Sequence, residues 1–239
     1  MISTMARLGV ALALGASFAS SRERQDLAGS RVERLDGRPA PGRAGDAHAL
    51  FARGKAAIEA NAGDTFGAER EALERGIEDL RAADAAGYPG RKDLEALIAR
   101  ACNSLASHHA RDDAERDAFI QREQKAYQAI MRIDPKDARA RFAYTGNLTN
   151  RDQRKKAYRE VLKVSPRHAL ARYSIAIMLD EEGQRDEASA EMMRAVEAFD
   201  AREAEEVGAE AVAMLRKNGK RRDAERASKL IQGKRRQRR

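Results

Sequence analysis

The feature that most restricts the fold of this chain is an internal repeat in its second half. Residues 125–135, KAYQAIMRIDP, return 31 positions later as residues 156–166, KAYREVLKVSP. Lys, Ala, Tyr and Pro are identical in the two copies, and Ile130, Met131 and Ile133 are replaced by the similar Val161, Leu162 and Val164. A third copy, residues 190–200, follows at a spacing of 34. Periods of this length are typical of stacked units, each too small to bury its own apolar face.

Composition indicates that the repeated units are helical. Charged residues make up 35% of the 239 residues and aromatic residues 5%, and Trp is absent. Such a chain is unsuited to a β-sandwich or a β-barrel, which depend on β-branched and aromatic side chains. Pro135 and Pro166 predict helix boundaries, because proline cannot continue the interior of a helix. The small residues Ala176, Ala188 and Ala195 predict close packing of two helices.

Residues 169–200 resemble the tetratricopeptide repeat family. Ile175-Ala176 occupy the positions of its Leu-Gly pair, Gly183 occupies the turn, and Ala188 occupies a small-residue position. The preceding copy, 138–166, is three residues shorter and has Arg154 where the family has a small residue. The resemblance implies an all-α fold, an α-solenoid of about five antiparallel helical hairpins wound into a right-handed superhelix.

The fainter flanks predict the remaining hairpins. Helices are expected in three pairs outside the central repeats, with breaks at 62–67 and 86–90: 47–61 with 68–85, 94–108 with 114–133, and 203–217 with 223–231. The helical repeat domain is expected to span residues 46–232. A linker without ordered structure, rich in Pro and Gly near its end, is expected at 20–45.

The amino terminus has the pattern of a secretory signal. Arg7 precedes an apolar run at 8–16, and small residues, Ser17 and Ala19, stand three residues and one residue before a cut after Ala19. This pattern predicts a signal peptide at 1–19 and a periplasmic or secreted protein. The alternative is a short apolar helix at the start of a cytoplasmic protein. No stretch reaches the roughly 20 apolar residues of a membrane-spanning helix.

Positive charge is concentrated at the carboxyl end. The formal net charge is +8, and residues 216–239 alone carry +10, so the rest of the chain is nearly neutral. Residues 233–239 are expected to form a disordered basic tail, which would be attracted to nucleic acid, anionic lipid or an acidic partner. The alternative is a solvated terminus with no specific partner. The cations of the tail are Lys234, Arg235, Arg236, Arg238 and Arg239.

Residues with catalytic or ligand-binding chemistry are sparse. Cys102 lies among apolar residues, as a core residue would. The adjacent His108 and His109 point about 100° apart on a helix and are poorly placed to bind one metal ion together. Gly37 and Gly42 have the glycine spacing of a phosphate-binding loop but lack its Lys and Ser/Thr. We therefore expect a protein that is not an enzyme and has no cofactor and no metal.

The family register points to a partner-binding groove on the first helix of each hairpin. Its residues are Arg139, Phe142, Tyr173 and Ile177, although Phe142 and Tyr173 could equally pack within the hairpins. The Lys and Asn residues with which some family members hold a partner's terminal carboxylate are lacking here. We expect an adaptor that binds another protein or peptide in this groove. The alternative is a cytoplasmic helical-repeat protein that contacts nucleic acid only through its basic tail.

Overall fold

The structure, a computed structural model, describes residues 44–61 and 70–237. The predicted signal peptide, nearly all of the linker, the predicted break at 62–67 and the last two arginines lie outside the described residues. The described residues are helical with short turns and contain no strand, which confirms the all-α prediction. The helices are α1 (Ala44–Asn61), α2 (Arg70–Ala85), α3 (Arg91–Ser104), α4 (Asp113–Ile133), α5 (Ala138–Gly146), α6 (Arg151–Val164), α7 (Ala169–Glu181), α8 (Arg185–Ala198), α9 (Ala201–Glu206), α10 (Gly208–Lys217) and α11 (Arg221–Arg236).

The helical region, expected as one domain, divides into two compact units. The N-terminal unit comprises the described residues up to Glu123, and the C-terminal unit runs from Gln124 to the end of the described chain. Helix α4 contributes to both. Within each unit the helices pack mainly as neighbouring pairs, such as α1 with α2 and α7 with α8. Pairing of helices that adjoin in sequence is the arrangement expected of hairpins.

Two glycines bring α1 and α2 together in the N-terminal unit. A Cβ atom placed on Gly54 would lie 2.8 Å from the carbonyl oxygen of Gly76. A Cβ atom on Gly76 would lie 2.9 Å from Cγ1 of Ile58, which is fully buried. Only hydrogen fits at either position, so the two glycines allow a crossing that larger residues would push apart. The core around this crossing contains Ile58, Leu73, Leu80, Leu94, Ile98 and Leu105.

The core of the C-terminal unit is a continuous cluster from α5 to α11. The three alanines expected at close helix contacts, Ala176, Ala188 and Ala195, are all completely buried. Small residues at these positions let α7 and α8 approach, and larger side chains fill the space beside them. The largest members of the cluster are Phe142, Tyr158, Ile175, Leu179, Met192, Phe199, Leu215 and Ile231.

The 31-residue repeat of the sequence is also a repeat of backbone structure. The amide of Asp134 donates to the carbonyl of Ile130, and the amide of Ser165 donates to that of Val161, both at 2.8 Å. The same offset relates the N-caps of α5 and α7, because Asp137 accepts from the amide of Ala140 and His168 from that of Ala171. The prolines therefore end one helix, and a capping residue two positions later starts the next.

The turns of two later hairpins each contain a glycine with the same backbone conformation. Gly183 between α7 and α8 has φ of +78°, and Gly219 between α10 and α11 has φ of +77°. The amides of Gln184 and Lys220, next in the chain, donate back to Leu179 and Leu215 over 2.9 Å. This left-handed turn closes the end of a helix at little cost only with glycine.

Two expectations about the last hairpin need correction. Its first helix, expected as 203–217, is divided at Val207 into α9 and α10. A capping box between Asp200 and Glu203 starts α9 early, and α10 begins at Gly208, where a Cβ would lie 2.9 Å from Ile231. Its second helix continues to Arg236 instead of ending at 231, so the expected disordered tail is wrong for residues 233–236.

Candidate partner-binding surface

The N-cap residue of α7, His168, lies against α5. Asp137 and His168 each stand in an extended conformation and accept a hydrogen bond from the third amide of their helix, over 2.8 and 3.3 Å. The ring of His168 stacks on Phe142 of α5, with 4.8 Å between ring centroids. Burial and, secondarily, the positive charge of Arg139 lower the pKa of His168, so the imidazole stays neutral and can cap the helix.

Phe142 is a core residue and not part of a groove. It is 1% exposed and packs between Tyr158 of α6, at 5.5 Å between ring centroids, and His168. The reason is the length of α5, which has only nine residues and needs its one large apolar side chain to hold it against the rest of the unit. The alternative interpretation, packing within the hairpins, is therefore correct for Phe142.

The other three predicted groove residues remain accessible to different degrees. Arg139 is exposed on the first turn of α5, whereas Tyr173 and Ile177 are half-buried on α7 and pack with one side against the core cluster. Tyr173 and Ile177 are one helical turn apart, so they lie on the same face of α7. The structure thus keeps an apolar pair on α7 with a partly exposed face.

Two polar contacts align α7 with α10. The hydroxyl of Tyr173 donates to Glu210, and the ammonium of Lys217 lies 2.8 Å from Oδ2 of Asp180. Each contact joins residues 37 apart in sequence, and the two contacts are two helical turns apart on both helices. Contacts of equal offset require the helices to run parallel. Glu210, Lys217 and Asp180 could not be identified from the sequence, because an equal offset is informative only once the two helices are known to be neighbours.

The electrostatics of these contacts favour their present charge states. Burial, and then the bond to Glu210, raises the pKa of Tyr173, so its hydroxyl keeps the proton that it donates. Burial opposes ionisation of Asp180, but hydrogen bonds from Lys217 and Asn218 outweigh it and lower the pKa. A neutral donor and an ion pair therefore fix the two ends of the α7–α10 contact.

The predicted basic tail is partly used inside the fold. Lys234 donates to the carbonyl oxygens of Glu197, at 3.0 Å, and Phe199, where α8 ends. Arg235 donates to the carbonyl oxygens of Ala204, at 3.2 Å, and of a neighbouring residue in α9. These two cations are bound to helix carbonyls instead of being free for a partner. Arg236 is exposed, while Arg238 and Arg239 lie outside the described residues.

The other side chains with reactive or metal-binding groups have structural roles. Cys102 is fully buried, and burial raises the pKa of its thiol to about 12, so it is protonated at neutral pH and a poor nucleophile. Glu115, in the first turn of α4, accepts from the guanidinium of Arg70 at 3.0 Å. That bond lowers the pKa of Glu115 to about 2. The described residues contain no cluster of three or more potential metal ligands.

Comparison with known proteins gives no further assignment of this surface. No model of a known protein family matches the chain, and no curated protein matches it either. Among the described helices, none is both long and apolar enough to cross a lipid bilayer. The case for function therefore depends on the geometry of the C-terminal unit itself.

Proposed function

We propose that this protein is a non-catalytic adaptor that binds a partner protein or peptide across the first helices of its C-terminal hairpins. The observation that carries the proposal is the side-by-side arrangement of α7 and α10, with Tyr173 and Ile177 half exposed on α7. A surface that is already rigid loses little conformational entropy when it binds an extended or helical segment. It also offers both apolar and polar groups for contact.

The arrangement also supports a tetratricopeptide-like solenoid. In such a fold the first helices of successive hairpins lie side by side and form one surface. The parallel alignment of α7 and α10, and the stacking of His168, the N-cap of α7, on Phe142 of α5, agree with it. We include in the proposal a right-handed superhelix of about five hairpins, to which the tetratricopeptide resemblance points.

The binding surface is proposed to consist of Arg139, Tyr173 and Ile177, without Phe142. Ile177 supplies apolar area, Tyr173 supplies a ring edge, and Arg139 supplies a charge at the end of the surface formed by the helix N-termini. Aromatic and Arg side chains are the types that most often dominate the energy of protein interfaces. The proposed compartment is periplasmic or secreted, with the cytoplasm as the alternative, and sequencing of the mature amino terminus tests it by asking whether the chain starts at Ser20.

Site-specific photo-crosslinking in the producing cell tests the adaptor function. A photoreactive amino acid replaces Ile177, and in a matched protein it replaces Ala190, which is exposed on α8. We expect a discrete adduct from position 177 and none from position 190. The substitution Arg139→Glu, at an exposed position, should lower the yield of the adduct. Equal adducts from both positions, or none from position 177, would contradict the proposal.

A further inference from the structure

Helix α11 has a row of cations on the side opposite to its buried stripe. Its buried residues, Ala224, Ala227 and Ile231, hold it against α8, α9 and α10. At 100° per residue, positions 222, 229, 233 and 236 lie within about 35° of the direction opposite this stripe. Position 233 is glycine, and the other three are exposed cations spaced seven residues apart. We call Arg222, Lys229 and Arg236 the α11 ridge; it extends about 21 Å along the helix.

Three other cations of α11, unlike the ridge residues and the exposed Arg221, contact the rest of the protein. Arg226 lies 2.8 Å from a carboxylate oxygen of Glu197, while Lys234 and Arg235 donate to the carbonyls described above. The three ridge residues, by contrast, have no ion pair or side-chain hydrogen bond among the described residues. No carboxylate among the described residues therefore lies within ion-pair distance of the ridge cations, although Glu225 is one helical turn from Arg222 and Lys229.

The internal bonds also hold the ridge rigid near its end. Lys234 and Arg235 attach the last turn of α11 to the ends of α8 and α9, so Arg236 extends from a fixed helix. A fixed row of cations loses less conformational entropy on binding than a flexible basic tail does. The ridge is thus a preformed linear array of positive charge.

The composition of the surrounding face selects among anionic partners. The exposed positions beside the ridge are Arg221, Glu225, Arg226, Gln232 and Gly233, none of which is apolar or aromatic. A bilayer-binding helix needs an apolar face to insert, and base stacking needs aromatic side chains. A single line of charge about 21 Å long matches roughly six base pairs of a rod-like polyanion, at ~3.4 Å per pair.

We propose that the α11 ridge binds the phosphate backbone of double-stranded nucleic acid without sequence preference. Its cations contact phosphates and read no bases, so the interaction is electrostatic and releases counterions. This site lies on a different helix from the partner-binding surface. Its test uses purified protein, so its outcome is independent of the adaptor proposal and of the compartment.

Salt-dependent binding to a labelled random-sequence DNA duplex tests the ridge. We expect the full chain to bind with an affinity that falls about 40-fold between roughly 50 and 200 mM salt, as three phosphate contacts would require. The triple variant Arg222→Gln, Lys229→Gln, Arg236→Gln should reduce the slope of log affinity against log salt by about 3, one for each contact removed.

A matched variant and two alternatives make the result decisive. Arg132→Gln, Lys156→Gln and Arg159→Gln remove the same charge from exposed positions on α4 and α6 and should leave the slope nearly unchanged. Equal loss in both triple variants would overturn the proposal. So would loss of binding on removal of residues 238–239 alone, or tighter binding to phosphatidylserine-containing vesicles than to the duplex at equal salt. Circular dichroism confirms that each variant is folded.

Discussion

Arg141 and Arg172 make the same contact 31 residues apart. Each guanidinium donates through Nε and Nη2 to the carbonyl oxygen of the proline six residues before it, with Nη2 distances of 2.8 Å to Pro135 and 2.7 Å to Pro166. The sequence repeat thus includes an arginine that lies outside the eleven matched residues. A forked donor fixes the chain between two helices, which a single ammonium group does less well.

We predict that Arg141 and Arg172 each stabilise the helix junction at which they lie, and that Arg172 contributes more. Arg172 also lies 2.7 Å from a carboxylate oxygen of Glu191 on α8. The substitution Arg172→Ala should lower the free energy of unfolding by about 1–3 kcal/mol, and Arg141→Ala by about 1 kcal/mol. Arg172→Lys should fall between wild type and Arg172→Ala. Urea unfolding followed by circular dichroism measures the three values, and an effect of Arg141→Ala equal to that of Arg172→Ala would contradict the ranking.

The crossing of α1 and α2 gives a second prediction. The substitution Gly54→Ala places a methyl group 2.8 Å from a backbone carbonyl oxygen that cannot move without moving α2. We expect it to lower the free energy of unfolding of the N-terminal unit by about 1–3 kcal/mol. The matched change Gly233→Ala, also within a helix, meets no atom within 4 Å and should instead stabilise by about 0.5–1 kcal/mol. Thermal melts of both variants check the opposite signs.

Burial of Phe142 leads to a third prediction, which separates core from surface. The substitution Phe142→Ala should cost about 3–5 kcal/mol of stability, because it leaves a cavity between Tyr158 and His168. Ile177→Ala, at a half-exposed position, should cost about 1 kcal/mol. Denaturant titrations compare the two. If Phe142→Ala left the midpoint unchanged, the side chain would have to be accessible, and the original groove assignment would be restored.

The positions of the helices in the second half of the chain could be predicted because their signals are local. Pro135, Pro166 and Gly183 act on the backbone of the few residues around them, and each marks a turn in the structure. The alanines at close helix contacts were also identifiable, since only small residues fit there. The C-terminal end of α11 was less predictable, because Lys234 and Arg235 donate to carbonyl oxygens that are distant in sequence.

The rotation of a helix about its own axis could not be predicted in the same way. Phe142 lies on the inner side of α5 because Tyr158 of α6 and His168 at the start of α7 surround it. These contacts depend on how three helices pack against one another, which the pattern of a single helix does not determine. The division at Val207 likewise depends on the close approach of Gly208 to Ile231.

Burial of Cys102 gives a fourth prediction about thiol reactivity. Because its pKa is raised to about 12, the thiolate is scarce at neutral pH, and the side chain is also shielded from reagents. We expect Ellman's reagent to leave the native protein unmodified and to react fully in denaturing urea. Added urea below the unfolding transition should not speed the reaction appreciably, unless the N-terminal unit opens locally. Rapid modification of the native protein would contradict the buried position.

The N-cap of α7 predicts a dependence of stability on pH. Burial, and then Arg139, lowers the pKa of His168 in the folded state, so the unfolded chain binds a proton at higher pH than the folded chain does. The stabilising contribution of neutral His168 is complete above about pH 6.5, the ordinary value, and is lost as the pH falls from there toward the lower folded value. Protonation also removes the acceptor for the amide of Ala171 and places a positive charge at a helix N-terminus.

The substitution His168→Asn isolates this contribution, because asparagine caps a helix without titrating. We expect the wild-type free energy of unfolding to fall more than that of the variant between about pH 7.5 and about pH 5.5, a range that spans the ordinary histidine pKa. The other histidines are common to both proteins and cancel in the comparison. Urea titrations at the two pH values measure the difference. Equal pH dependence in the two proteins would show that His168 does not titrate on unfolding, and the neutral cap would lose its support.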